Sequence, residues 1–157
     1  MKVSKATAYA LHALMYMVRH ITELPVLTGT IAKAEGIPSG YLAKVFGRLA
    51  KADLVKAVKG RRKGYVFARP PEEITLLDMF EAIEGKVLFE DCLLRHCKCE
   101  GTPENCYIYA QWVSSTKKMS RLLGETNLVT AAWNHPEHRF NSPPKPARQP
   151  ARTRANE

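Results

Sequence analysis

One β-hairpin pattern stands among helical patterns in this sequence, and it restricts the folds that the chain can adopt. Leu54–Val58 and Tyr65–Ala68 are strand-like, and Lys59-Gly60-Arg61-Arg62-Lys63-Gly64 separates them. Two apolar strands joined by a short glycine-containing turn are typical of a β-hairpin. Four of the six turn residues are positively charged. The turn is therefore expected to bind a polyanion such as a phosphate backbone, with a simple solvated turn as the alternative.

Three helical patterns precede the hairpin. The first runs from Ser4 to about Ile21, and a short second one covers about Gly29 to Ala34 after a Thr28 cap. After a tight turn, Ser39 is expected to cap a third helix, whose inward side chains are Leu42, Val45, Phe46 and Leu49. Two short helices joined in this way form a helix-turn-helix, whose second helix normally enters the DNA major groove. Residues 1–70 are thus predicted to form a winged helix-turn-helix DNA-binding domain.

The distribution of charge supports this prediction. Residues 1–70 carry 13 Lys and Arg against 3 Asp and Glu, a net +10, whereas residues 71–140 carry 7 against 11, a net −4. Residues 141–157 carry 4 against 1, a net +3, and the whole chain has a formal charge of +9. The surface that binds a polyanion is therefore expected in the first half.

The second half is predicted to be helical. A connecting helix is expected within residues 71–90, beginning near Ile74 and ending near Gly85. Thr102-Pro103-Glu104 is typical of a helix start and would place Cys106 in the first helical turn, which favours a negatively charged thiolate. A short last helix is expected over Leu128–Trp133. Residues 141–157 are rich in Pro, Arg and Ala and are expected to be a disordered tail.

The helix that follows Cys106 has a coiled-coil-like spacing of side chains. The positions that repeat at intervals of four and three are Ile108, Trp112, Ser115, Met119 and Leu122. This spacing is typical of a dimer seam, and a buried core helix is the alternative. The predicted fold class is mainly α with a small β-hairpin wing: a winged helix-turn-helix plus a long dimerisation helix, with residues 103–140 holding that helix and the C-terminal one.

All four cysteines lie within residues 91–106, at Cys92, Cys97, Cys99 and Cys106. Cysteines that pack in a core are scattered, whereas thiolates that bind one metal or cluster are collected on one loop. The loop is therefore expected to carry a metal or redox function. Zinc and a thiol-disulfide switch remain alternatives, although structural zinc usually takes pairs of ligands separated by two to four residues, and Cys97 and Cys99 are separated by one.

Other classes of protein fit this sequence poorly. No apolar run approaches the length of a membrane span, and the first residues lack the core of a signal peptide, so a cytoplasmic protein is expected. No catalytic triad, paired-carboxylate site, phosphate loop or nucleotide fingerprint accompanies the cysteines. An enzyme is therefore not expected.

The chain resembles the bacterial IscR/NsrR family of winged-helix regulators over about residues 1–133. The resemblance is carried by Ile37-Pro38-Ser39-Gly40-Tyr41-Leu42, by Leu49–Val55, by the turn Lys59–Tyr65, by Ala82-Ile83-Glu84-Gly85 and by the cysteine segment with Trp112. It implies a homodimeric transcription factor, usually a repressor, that binds double-stranded promoter DNA. It also implies that loop thiolates hold a [2Fe-2S] or [4Fe-4S] cluster, whose redox state, loss or reaction with nitric oxide changes promoter binding. From the coiled-coil-like spacing of the helix after Cys106, the dimer interface is expected to contain Ile108, Trp112, Met119 and Leu122.

The resemblance suggests Cys92, Cys99 and Cys106 as cluster ligands, because their even spacing matches the family loop. Cys97 could replace Cys99 as the middle ligand. Some relatives place a histidine three residues after the third cysteine or a carboxylate on the first helix, but the matching positions here are Tyr109 and Ala8. His12 and His96 remain as candidates for a fourth ligand, although a histidine off the core stripe, like His12, is more often a solvated surface residue.

The expected DNA contacts lie on the second helix of the helix-turn-helix and on the hairpin turn. The helix contributes Ser39, Gly40, Tyr41, Lys44 and Arg48, and the turn contributes Lys59, Arg61, Arg62 and Lys63. Tyr41 could instead pack inside the protein and position the helix. Ala43 is small and apolar, so the promoter sequence that this helix recognises stays open.

Overall fold

A computed structural model describes residues 3–85 and 101–134. Its helices are α1 (Lys5–Arg19), α2 (Thr28–Glu35), α3 (Ser39–Lys51), α4 (Leu76–Glu84), α5 (Tyr107–Glu125) and α6 (Leu128–Asn134). The strands β1 (Val55–Val58) and β2 (Gly64–Phe67) form an antiparallel pair, and short 3-10 turns cover Ile21–Glu23 and Pro71–Glu73. The predicted class, mainly α with a winged helix-turn-helix, is confirmed.

Two of the predicted helix caps are wrong by one residue. Thr28 and Ser39 are the first residues of α2 and α3, and Leu27 and Pro38 hold the cap positions without a side-chain hydrogen bond. The reason lies in the backbone, because the first helical hydrogen bonds are accepted by the carbonyls of Leu27 and Pro38. Ser4, by contrast, caps α1, and its hydroxyl accepts a hydrogen bond from the Thr7 amide at 3.4 Å.

The predicted start of α5 is also wrong. Thr102, Pro103 and Glu104 form a separate turn, in which the Thr102 carbonyl accepts hydrogen bonds from the amides of Asn105 (3.2 Å) and Cys106 (2.9 Å). Asn105 closes this turn by accepting from the Thr102 amide at 2.6 Å. Cys106 then adopts extended backbone angles, φ −125° and ψ 110°, so the helix begins only at Tyr107 and Cys106 is its N-cap residue.

The core is built around α1, which packs against α2, α3, α4 and α6. Ala10, Ala13, Leu14 and Met17 of α1 are fully buried. The predicted inward face of α3 is confirmed, since its four apolar side chains are no more than 2% exposed. Leu128 and Ala132 of α6 belong to the same core, and the Arg19 guanidinium donates to the Ala132 carbonyl at 2.7 Å. Helix α6 thus stabilises α1 within the core.

The start of α4 is tied to the end of α5. Thr75 caps α4 in a reciprocal capping box with Asp78. The Leu76 amide donates to the Thr126 carbonyl at 2.8 Å, and the Leu128 amide donates to the Ile74 carbonyl at 2.9 Å. These backbone bonds anchor the far end of the long helix to the body formed by the other helices.

Most of α5 lies on the surface. Thr116 is its only buried residue, and Ile108 (54% exposed), Met119 (38%) and Leu122 (64%) of the predicted seam are exposed on the single chain. Trp112 is half-buried and Ser115 is exposed. Within residues 3–85 and 101–134, no helix has the length and apolar character needed to cross a bilayer. The predicted tail and most of the cysteine segment lie outside the described residues.

Candidate nucleic-acid interface and thiol segment

The hairpin, which we call the wing (residues 55–67), presents its turn to solvent. Val55 pairs with Phe67 and Val58 pairs with Gly64, so the turn begins immediately beyond the last pair. Lys59, Arg61, Arg62 and Lys63 are all exposed. In the described part of the chain, none of these four cations has an acidic partner. The positive charge of the turn is therefore available to a ligand.

The chain at Val26 pairs with the wing and holds it against the helices. Val26 forms an antiparallel bridge with Tyr65: the Tyr65 amide donates to the Val26 carbonyl at 2.8 Å, and the Val26 amide donates to the Tyr65 carbonyl at 3.1 Å. The Tyr65 ring also lies 4.7 Å from the Phe46 ring of α3, centroid to centroid. Because Phe46 is in the core, this contact sets the position of the wing relative to α3.

The outer face of α3 is exposed along its whole length. Helical geometry places Gly40, Ala43, Lys44, Gly47 and Lys51 on one strip opposite the buried face, at roughly 100° per residue. Ser39 and Lys44, two of the predicted DNA contacts, are exposed on this helix. A Cβ atom added at Gly40 or Gly47 would meet nothing within 4 Å. The strip is thus smooth, with cations at its centre and at its end.

Tyr41 is both exposed and packed. Its side chain is 44% exposed, and its ring lies edge-on to the Tyr9 ring of α1, with centroids 5.5 Å apart and planes at 83°. Aromatic pairs favour this edge-to-face geometry. Tyr41 therefore contacts α1 while keeping part of its ring at the surface beside Gly40.

Arg48 is exposed, and its guanidinium also contacts the neighbouring helix α4. Its Nη1 donates a hydrogen bond to the Ile83 carbonyl at the end of α4, at 3.1 Å. The adjacent Glu84 carboxylate accepts from the Ser4 amide at 3.0 Å and from the Thr7 hydroxyl. Burial opposes ionisation of Glu84, but the hydrogen bonds from Ser4 and Thr7, with the positive charge of Arg48, keep the pKa of Glu84 below its usual value.

Thr30, Lys33 and Lys51 lie on or beside this face and were not identified from the sequence, whereas Lys63 was. An open groove between α2 and the wing is lined by Thr28, Thr30, Lys33 and Lys63 among others. The first helix of a helix-turn-helix crosses the DNA backbone, so its first turn is a natural place for phosphate contacts. The helical spacing of Lys44 and Lys51 could have identified Lys51 from the sequence, whereas the proximity of Lys33 to Lys63 requires the tertiary structure.

Cys106 is the one predicted thiol ligand in the described part of the chain. It is half-buried, forms no disulfide there, and stands at the N-cap of α5. A free, partly exposed thiol at a helix start fits a thiolate ligand for a metal or a cluster. Cys92, Cys97, Cys99 and His96 lie outside the described residues. Among residues 3–85 and 101–134 no group of three or more potential metal ligands is brought together.

His12 is buried, contrary to what its place off the core stripe suggested. Its Nδ1 lies 3.3 Å from Oε2 of Glu35 on α2, and the two side chains are only 8% and 11% exposed. The stripe of α1 failed to predict this because α2 packs over the opposite side of the helix. A carboxylate partner on one ring nitrogen is typical of ligating histidines, whereas burial limits access to the ring, so His12 as a ligand stays a prediction.

Comparisons with known proteins agree with this geometry. A protein of Aquifex aeolicus described as an HTH-type transcriptional regulator is 37% identical over 110 residues, which cover 69% of this chain and 76% of that protein. The HTH-type transcriptional regulator IscR of Xenorhabdus nematophila is 28% identical over 134 residues, 85% of this chain and 80% of IscR. Both relatives share most of their length with this chain.

Solved structures show the same fold. The global cysteine regulator CymR (YrzC) of B. subtilis superposes with a TM-score of 0.71 at 23% identity, covering 87% of this chain and 99% of CymR. IscR of T. potens superposes with a TM-score of 0.67 at 28% identity, covering 83% of this chain and 85% of IscR. The sequence profile of the Rrf2 family, described as iron-dependent transcriptional regulators, matches residues 3–132. The chain therefore belongs to the Rrf2 family of winged-helix proteins, which are transcriptional regulators and not enzymes.

Proposed function

We propose that this protein is a dimeric repressor whose affinity for promoter DNA is controlled by an iron-sulfur cluster that responds to redox state, iron or nitric oxide. The observation that carries the DNA-binding part is the exposed strip of α3 beside a wing turn whose four cations have no acidic partner in the described residues. Its partner is chromosomal DNA, so we place the protein in the cytoplasm.

In this proposal α3 enters the major groove and the wing contacts the backbone or the minor groove. Ser39, Gly40, Tyr41 and Lys44 approach base edges and nearby phosphates, while Lys59, Arg61, Arg62 and Lys63 act mainly through their charge. Each phosphate neutralised steepens the salt dependence of binding by about 0.9 log unit per log unit of salt. The smooth strip at Gly40 and Gly47 allows the helix backbone to approach the DNA closely.

Dimerisation is proposed through the exposed face of α5, with Ile108, Trp112, Met119 and Leu122 at the interface. Three of these side chains are 38% to 64% exposed on the single chain, which is unfavourable unless a second surface covers them. The spacing matches a helix-helix seam. Two recognition helices on one dimer would then contact two half-sites at a fixed separation.

Cys92, Cys99 and Cys106 would hold the cluster, with Cys97 as the alternative middle ligand and His12 as a candidate for the fourth position. The free and partly exposed thiol of Cys106 and the family's description as iron-dependent support this assignment. When bound, the cluster would supply a centre that reacts with oxidants and nitric oxide. Cys106 directly precedes Tyr107, so a ligand bound to its thiol would lie at the start of the proposed dimerisation helix.

The test begins with protein purified without oxygen. We expect a coloured protein with iron and acid-labile sulfide, whose affinity for a promoter fragment changes after exposure to air or nitric oxide. The variant with Cys92, Cys99 and Cys106 all replaced by Ala is the control and should lose both colour and response. Colourless protein that contains zinc would indicate a zinc site instead of a cluster. Protein that responds to oxidants without any metal would indicate a thiol-disulfide switch.

A further inference from the structure

The recognition helix α3 is linked to the end of α4 by one side chain. Arg48 is exposed at the edge of the strip of α3, on the same side as Tyr41 and about two turns further along the helix. Its guanidinium donates to the carbonyl of Ile83, the second-last residue of α4. This hydrogen bond restrains the guanidinium beside the end of α4.

The end of α4 is in turn linked to the start of α1. Glu84, the last residue of α4, binds the Ser4 amide and the Thr7 hydroxyl through the same carboxylate oxygen. Gly85 then ends the helix with a positive φ of 85°, and its amide donates to the Glu81 carbonyl at 3.0 Å. Two neighbouring residues, Ile83 and Glu84, therefore connect α3 and α1 to the end of α4.

We propose that Arg48 and Glu84 are positioning residues that fix the orientation of the recognition helix relative to α1 and α4. The inference rests on the proposed function and assigns Arg48, one of the DNA contacts expected from the sequence, the different role of positioning α3. Base contacts require the helix to be placed within about 0.5 Å, whereas binding through charge alone tolerates displacement. Loss of the link should therefore affect specific binding and spare non-specific binding.

The first experiment separates positioning from direct contact. The probes are a duplex selected by the wild-type protein from a random-sequence library and a scrambled duplex of equal length. We expect R48M to bind the selected duplex at least tenfold more weakly, with unchanged affinity for the scrambled one and an unchanged salt slope on it. The matched control K51M, on the same helix, should weaken binding to both duplexes and lower the salt slope by about 0.9. An R48M variant that behaves like K51M would overturn the inference.

A second pair of variants tests Glu84. The Glu84→Gln side chain keeps an oxygen that can accept from Ser4 and Thr7, whereas E84A removes it. We expect E84A to lose specific affinity as R48M does and E84Q to retain most of it, with all variants checked for a cooperative thermal transition. Equal loss in E84Q and E84A, or none in either, would contradict a positioning role.

The wild-type protein in the first experiment separates this inference from the proposed function. Wild-type protein that binds neither duplex would overturn the proposed function itself, whereas wild-type binding with an unaffected R48M would overturn only the positioning role.

Discussion

Gly64 lies so close to Val26 that a Cβ atom added to it would stand 2.7 Å from both the carbonyl carbon and the carbonyl oxygen of Val26. The φ of Gly64 is 153°, which side chains of L residues rarely adopt. The atoms in the way belong to the backbone, so they cannot rotate aside as a flexible side chain could. Glycine at this position is what allows the Val26 segment to pair with the wing.

The first prediction concerns this approach. We expect G64A to lower the free energy of unfolding by about 1–3 kcal/mol, because the Val26–Tyr65 hydrogen bonds must stretch to admit the methyl group. Chemical denaturation measures the change. We also expect weaker DNA binding, since the wing loses its fixed position relative to α3. An unfolding midpoint equal to that of the wild type would show that the segment can move aside.

The opposite outcome is expected at Gly47. It lies in the interior of α3 with open space around it, and alanine favours an exposed helix interior by about 0.5–1 kcal/mol over glycine. G47A should therefore raise the free energy of unfolding while weakening DNA binding, because the added methyl group lies between the helix and the groove. Denaturation and a fluorescence binding titration on the same sample check both parts. A G47A protein that binds DNA as well as the wild type would exclude close approach at this position.

Neutralising the wing should change the salt dependence of binding. We expect R61M and R62M each to lower the slope of log affinity against log salt by about 0.9, with similar losses on specific and scrambled duplexes. K117M removes an exposed charge from α5 and is the matched control, with no change expected. If the wing variants kept the wild-type slope, the turn would be a solvated surface feature.

Acid sensitivity should depend on the start of α4. Burial opposes ionisation of Asp78, but hydrogen bonds from Thr75 and Arg69 hold the pKa of Asp78 below its usual value of 3.8. Because the pKa of Asp78 is lower in the folded chain than in the unfolded chain, the ionised carboxylate stabilises the fold at pH values above its unfolded-state pKa. This contribution disappears as the pH falls through the folded-state pKa. At pH 7 we expect the free energy of unfolding of D78N to be about 1 kcal/mol lower than that of the wild type. Below pH ~3.5 we expect this difference to shrink. Thermal unfolding across this range measures the difference.

The exposed carboxylate of Glu72 provides the control for that measurement. The E72Q variant removes a charge from the preceding 3-10 turn and should follow the wild-type curve. If the difference in unfolding free energy between D78N and the wild type stayed constant down to pH ~2.5, the Asn side chain would destabilise the protein for a reason other than the lost charge.

The last prediction tests the proposed dimer. Leu122 is 64% exposed, and L122E places a charge on the α5 seam without disturbing the core of the chain. We expect sedimentation to show a monomer with the wild-type helix content and with specific DNA affinity reduced at least tenfold, since one half-site alone is bound. S114E is the matched control, because Ser114 is exposed on α5 about a third of a turn from the seam. A dimeric L122E would place the interface elsewhere.

Local patterns were sufficient to predict the helix-turn-helix, the hairpin and the buried face of α3. The periodicity of Leu42, Val45, Phe46 and Leu49 and the glycine-bounded turn of the wing depend on neighbours in sequence, so the sequence alone determined them. The clustering of the cysteines and the excess of positive charge in residues 1–70 are also properties of the sequence. They indicate DNA binding and thiol chemistry whatever contacts the folded chain makes.

Tertiary structure decided what depends on residues distant in sequence. His12 is buried because Glu35 and α2 lie over it, Arg48 donates to the Ile83 carbonyl because the end of α4 lies within reach, and Gly64 is required because Val26 passes beside it. Even the start of α5 depended on a competing turn at Thr102 that the capping pattern did not predict. Burial and hydrogen bonding are settled by which surfaces meet in the folded chain, and no local pattern contains that information.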